Sequence, residues 1–231
     1  MIDYGFNISL ERICFSINQR KFFNNLSLKF SDSGITVILG PNGSGKTLLT
    51  KILKGLVKPT SGNVILNNQK IKVGYVSQNV VFLRRSVYDN LAYPMKIYGF
   101  NQEFVDNRIN FLLQHFDFFE KKKLSARKLS AGNKQFLSFI RSLCVEPDLL
   151  ILDEPCANLD NEFVKKIEFF LSQEKRKKKI IMVTHDLFQA KRLADEVIFM
   201  QNGRIIEQSL KQDFLTSKNK IIRSFLDGNL L

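Results

Sequence analysis

The sequence predicts an α/β fold with a mostly parallel, covered sheet, an N-terminal antiparallel β-subdomain and an inserted α-helical subdomain. Three observations carry that expectation. The runs Ile35-Thr36-Val37-Ile38-Leu39, Leu149-Leu150-Ile151-Leu152 and Ile180-Ile181-Met182-Val183-Thr184 are short and apolar almost throughout, as strands buried on both faces are. Helical patterns follow the first run and separate the other two, the alternation of a parallel sheet. From about residue 80 to 146 the pattern is helical with no strand signal.

Residues Ile8 to Phe30 alternate imperfectly and read as two or three antiparallel strands, with Asn24-Asn25 as a break before Leu26-Ser27-Leu28-Lys29-Phe30. Asp32-Ser33-Gly34 turns the chain into the first buried strand. Directly after that strand comes Gly40-Pro41-Asn42-Gly43-Ser44-Gly45-Lys46-Thr47, which reads G-x-x-x-x-G-K-[ST]. Leu48, Leu49, Ile52, Leu53 and Leu56 then share one face of a helix. Glycines at that spacing let successive backbone N–H groups curl around a polyphosphate, and the helix N-terminus adds its positive end. The fold is therefore expected to be that of a P-loop NTPase, with Lys46 reaching the β/γ-phosphates of a nucleotide and Thr47 holding Mg²⁺.

Pro59-Thr60-Ser61-Gly62 breaks the chain, Val64-Ile65-Leu66 resumes as strand, Asn67-Asn68 turns it, and Lys72 to Ser77 runs as strand into Gln78. Ser86-Val87-Tyr88-Asp89 reads as a capping box. Val105, Ile109, Leu112, Leu113 and Phe116 make one apolar helix face, and Phe136, Leu137, Ile140, Leu143 and Cys144 the next, stopped by Glu146-Pro147. Phe163, Val164, Ile167, Phe170 and Leu171 should face inward from a helix between the second and third buried strands. Asn202-Gly203 marks a hairpin, and a Lys-rich linker with a short amphipathic tail follows. There is no internal repeat. One domain over 1–231 is expected, with 1–79 and 147–210 as ATP-binding core, 80–146 as the helical subdomain and 211–231 as tail.

The chain of 231 residues carries a formal charge of +13. Such a field raises nucleic acid as a partner. Much of it sits in Lys121-Lys122-Lys123 and Lys175-Arg176-Lys177-Lys178-Lys179, neither interleaved with aromatics, so each run is expected in a solvated helix end or loop, with an anionic membrane surface as a secondary role and no nucleic-acid partner. No apolar run is long enough to span a bilayer, and Met1-Ile2-Asp3-Tyr4 does not open a signal peptide. Cys14, Cys144 and Cys156 lack metal-ligand spacing and are expected as core thiols in a reducing cytoplasm.

Leu149-Leu150-Ile151-Leu152-Asp153-Glu154-Pro155 is an apolar strand ending in two carboxylates, the form of a Walker B element. Asp153, at the strand's C-terminal end, is placed to orient Mg²⁺ and its hydration shell. Glu154 is placed to polarise a water for in-line attack on the γ-phosphate.

Four further landmarks complete a series. Leu129-Ser130-Ala131-Gly132-Asn133 resembles the signature motif of ABC ATPases, Gln78 their Q-loop glutamine, Ala157-Asn158-Leu159-Asp160 their D-loop and His185 their switch histidine. Order, spacing and the helical insertion agree from about Ile8 to Gln208. The resemblance implies two cassettes facing head to tail, in which Ser130 and the N–H of Gly132 bind the γ-phosphate held by the opposite Lys46. It also implies that Gln78 contacts Mg²⁺ and that His185 steadies the γ-phosphate and attacking water. The chain departs from the pattern at Ala131, where the family usually has Gly, at Asn133, where Gln is common, and at Phe136, where Arg is frequent; an active site with altered packing is expected. Phe15 and Phe22 are both candidates to stack on adenine, and both fit strand core equally.

A single cassette without a spanning segment resembles the ATPase subunit of a bacterial transporter assembled from separate chains, working at the cytoplasmic face of the inner membrane. The implied partners are a second copy of the cassette, an integral membrane permease and in some systems a periplasmic binding protein. Val81 to Pro94, Leu187 to Val197 and the tail Ser224 to Leu231 are similar to importers of tungstate and related oxyanions such as molybdate or phosphate. An exporter-type cassette of the haem or lipoprotein class, and a non-transport ABC ATPase, are the alternatives.

Overall fold

In the computed structural model, which describes residues 7–66 and 71–228, the chain folds around two sheets. Strand β1 (Ile8–Ile17) and β2 (Arg20–Lys29) form a hairpin, β3 (Ile35–Leu39) leads into the Gly-rich loop, and β4 (Ser61–Leu66) returns to the other edge of β1. The second sheet adds β5 (Val73–Val76), β6 (Leu149–Asp153), β7 (Lys179–Val183), β8 (Glu196–Gln201) and β9 (Arg204–Leu210). Its order is β5-β6-β7-β3-β8-β9, parallel except for β9, which doubles back on β8.

The apolar strands read as continuous runs because both faces of this sheet are covered. Successive side chains point to opposite faces. Ile38, Ile151, Ile181 and Ile198 go to one core, beneath the antiparallel sheet and helix α1 (Lys46–Leu53); Val37, Leu152, Met182 and Phe199 go to the other, beneath the remaining helices. Those helices are α2 (Val87–Ile97), α3 (Gln102–His115) and α4 (Ala131–Leu143) between β5 and β6, then α5 (Asn161–Glu174) and α6 (Leu187–Leu193). Polar side chains at their first turns accept the otherwise orphaned N–H groups: Ser86 with Asp89 as a full capping box, then Asn101, Ser130, Asp160 and Asp186. Each such cap is worth about 1 kcal/mol.

Several details differ from the reading of the sequence. The first hairpin turns at Asn18 and Gln19, both at positive φ, and not at Asn24-Asn25; there β2 runs on through an irregularity with Asn25 at φ 58°. An Asn pair in a strand reads as a turn, but a bulge accommodates it equally well. Helix α1 ends at Leu53, so Leu56 is 60% exposed and lies outside its apolar face. The turn placed at Asn67-Asn68 and the last residues of the tail, 229–231, lie outside the described residues.

The C-terminal linker is instead helix α7 (Lys211–Leu215), and α8 (Lys220–Leu226) follows it. Phe214 and Phe225 from these helices pack on Phe199 of β8, at ring-centroid distances of 6.1 and 4.9 Å. The second lysine run also differs: Lys179 is fully buried at the start of β7, its ammonium donating to Ser31 Oγ (2.7 Å), Thr36 Oγ1 (2.7 Å) and the Ser33 carbonyl (3.1 Å). In the first run Lys121 lies over the Phe118 ring and Lys122 over Tyr88. Of the three thiols only Cys144 is fully buried; Cys14 and Cys156 are half-buried, and all three are free.

Candidate nucleotide site

Between β3 and α1 the chain makes the loop that the motif requires, and glycine is obligatory in it for a measurable reason. Gly40 has φ 146°, and a Cβ there would sit 2.0 Å from the Met200 carbonyl oxygen. Gly45 has φ 104°, with space closed by the Phe23 ring at 2.8 Å. Pro41, Asn42, Gly43 and Ser44 span the turn, and Ser44 N–H donates back to the Pro41 carbonyl. Lys46 is almost wholly buried, and its ammonium donates to the carbonyls of Gly40 (2.7 Å) and Pro41 (2.9 Å). Burial lowers its pKa, opposed by the negative charges of Glu154 and Asp153.

The C-terminal ends of neighbouring parallel strands bring the other groups in, because β6 and β7 run in the same direction as β3. Thr47 Oγ1 lies 3.2 Å from Asp153 Oδ1 at the end of β6. Asp153 is buried, and burial raises its pKa, with the Glu154 charge adding to the effect. Its Oδ2 is buried with no hydrogen-bond partner. Glu154 Oε1 is 2.9 Å from His185 Nδ1, which follows β7 and is two-thirds exposed.

A cavity of about 520 Å³ runs over this surface; Asn42 to Leu48, Gln78 and Glu154 line one part of it, and Phe15, Ile17 and Phe22 another. Phe15 and Phe22 thus both reach it, with ring centroids 6.2 Å apart, and the Arg20 guanidinium lies 5.2 Å from the Phe22 ring.

The residues present suit a small divalent cation. Asp153 Oδ2 is an orphaned buried carboxylate oxygen, Thr47 supplies a hydroxyl beside it, and Gln78 lines the same cavity with an amide. An oxygen set with one carboxylate, completed by substrate phosphates and water, is what Mg²⁺ takes. Among the described residues no cluster of three or more His, Cys, Asp or Glu offers a metal a cage of its own.

Ser130 and Gly132 are not part of this cavity. Ser130 caps α4, its hydroxyl accepting from the N–H (3.2 Å) and side-chain amide (2.8 Å) of Asn133. The departure at Phe136 has a clear packing basis: the ring stacks on Phe163 at 4.1 Å and 17° and meets Phe116 edge-on at 5.6 Å. An arginine there would be buried among aromatics. Reasoning from the sequence missed Gln135, a buried polar side chain whose amide donates to the Glu154 carbonyl (3.1 Å). It shares its side of α4 with Ser138, Phe139 and Ser142, so no apolar periodicity marks it.

The family profile for ABC transporters matches residues 23–157. The chain is 36% identical, over 188 residues, to the tungstate uptake system ATP-binding protein TupC of Peptoclostridium acidaminophilum, covering 78% of this chain and 88% of TupC. It is 34% identical, over 211 residues, to the molybdate/tungstate import ATP-binding protein WtpC of Methanocaldococcus jannaschii, covering 87% and 70%. Among solved structures it is similar to cbiO1 from Clostridium perfringens, part of the ABC transporter complex cbiONQ, with a TM-score of 0.78 and 26% identity over 96% and 95% of the two chains.

Proposed function

The chain belongs to the ABC transporter family, as the ATP-binding subunit that powers a transporter, and from that premise we propose that it drives import of an oxyanion of the tungstate, molybdate or phosphate class. The single observation supporting this substrate class is the identity of 36% and 34% to relatives named for tungstate and molybdate/tungstate uptake. Among the described residues no helix is long and apolar enough to cross a membrane; in this reading the path for cargo is supplied by a permease. In our reading the chain associates peripherally with that permease at the cytoplasmic face, as one of two identical cassettes, with a binding protein delivering cargo on the far side.

The geometry supports the following division of labour. The loop from Gly40 to Thr47 cradles the triphosphate of ATP, with the Lys46 ammonium exchanging its carbonyl partners for phosphate oxygens. Thr47, Asp153 and Gln78 hold the position for Mg²⁺, which when bound supplies counter-charge to the phosphates. Glu154 takes a proton from a water whose oxygen bonds to the γ-phosphorus as the bond to the bridging oxygen of ADP breaks. Its Oε1 is engaged by His185, which leaves Oε2 for that proton. Ser130, exposed at the N-cap of α4, and Gly132, partly exposed in its first turn, lie ready for the γ-phosphate held by the opposite cassette.

Uptake of radiolabelled tungstate, molybdate and phosphate by cells lacking the protein tests the cargo assignment. Reduced uptake of at least one is expected. Normal uptake of all three excludes the oxyanion class, and cargo retained inside the cell indicates an exporter.

A further inference from the structure

We propose that Gln135 is a positioning residue for hydrolysis: its side-chain amide, projecting from the signature helix α4, holds the backbone of Glu154 in the conformation that aims the base. The proposal rests on the reading of Glu154 as that base. Glu154 has φ 52°, a left-handed conformation that is strained for a side-chain-bearing residue and persists only when its surroundings impose it. What imposes it is visible on both sides of the residue. The Glu154 N–H donates to the Val183 carbonyl of β7 at 3.0 Å, so the sheet holds one end. The Glu154 carbonyl accepts from Gln135 Nε2 at 3.1 Å and from the Ala157 N–H at 3.2 Å, so α4 and the following turn hold the other.

Gln135 is 5% exposed, and the same amide lies 3.5 Å from the Pro155 carbonyl. It therefore bridges two successive carbonyls of the segment that carries the base, and neither of these hydrogen bonds reaches the phosphate loop. The first turn of α4 is seated on the same segment further along, since a Cβ on Gly132 would stand 3.0 Å from the Asn158 carbonyl oxygen. Ser130, Gly132 and Gln135 thus belong to one rigid helix that leans on residues 154–158. A displacement of that helix's first turn reaches Glu154 through Gln135.

The test compares Gln135→Met, Gln135→Asn and Glu154→Gln with the parent, with turnover counted per site that binds ATP. Gln135→Met keeps the buried volume and removes the donor. Gln135→Asn keeps an amide but withdraws it by a methylene. Both are expected to lower turnover per site by about tenfold to a hundredfold, the cost of misplacing a reacting group by roughly an ångström, with ATP affinity within about twofold of the parent. Parental turnover in Glu154→Gln would remove the base assignment and the proposal with it. Impaired turnover in Glu154→Gln but parental turnover in both Gln135 variants overturns the positioning role and leaves the base standing. Loss of ATP affinity in proportion to turnover overturns it as well, because a merely structural role moves both.

Discussion

Lys46 illustrates what the residue scale decides. Its ammonium is buried against the carbonyls of its own loop, and burial already makes its charge costly. A phosphate group offers it full charge neutralisation, which two neutral carbonyls do not. Lys46→Ala should therefore weaken ATP binding by about 10- to 100-fold, the range for a charge-assisted hydrogen bond of ~1.5–3 kcal/mol, while the fold survives. Titration with a fluorescent ATP analogue measures this, and circular dichroism checks the fold. Residues of this kind were legible from sequence because backbone geometry dictates them: only glycine tolerates Gly40's contact with Met200. Gln135 was not legible, since a glutamine in a helix ordinarily faces water and only packing against Glu154 turns it inward.

At the scale of elements, β7 holds the clearest consequence. Lys179 opens that strand, and burial pushes its pKa down to about 8 despite the nearby charges of Glu196, Asp195 and Asp32. The sign follows from proton counting. Between pH 8 and the ordinary lysine value of 10.5 the unfolded chain binds the proton that the folded chain has released, so stability rises with pH across that window. The difference in unfolding free energy between parent and Lys179→Met should then shift in the parent's favour by up to about 3 kcal/mol from pH 8 to 10.5. Urea denaturation at a series of pH values reads it, and a flat difference contradicts it. The sequence placed this lysine in a solvated run because four basic neighbours precede it; the chain enters the sheet within that run, and composition cannot mark where.

At the scale of the whole molecule, the proposed ATP contacts fall into two separate groups. Lys46, Thr47 and Glu154 line one cavity, with Asp153 bonded to Thr47 and His185 to Glu154, whereas Ser130 and Gly132 belong to a helix end outside it. A second cassette placed head to tail would supply the missing half. Glu154→Gln retains the triphosphate contacts and removes the proton acceptor, so hydrolysis should stall and an ATP-dependent dimer should accumulate on size exclusion, while the parent remains largely monomeric. Adding Ser130→Arg to that variant puts a bulky side chain where the opposite γ-phosphate would lie and should abolish the dimer. A trapped dimer that survives Ser130→Arg would place the interface elsewhere.

By itself the sequence determined the buried strands and their alternation with helices, the phosphate loop, the carboxylate pair and the capping box at Ser86. These are local: periodicity, obligatory glycines and side chains that reach N–H groups within three residues all act over a few positions. Only the tertiary structure decided that Asn25 is a bulge, that Phe214 and Phe225 return to the sheet, that Lys179 is buried and that Gln135 grips the backbone of Glu154. Each of these depends on which surface a distant segment presents, and a side chain's environment is set by residues far from it in the chain.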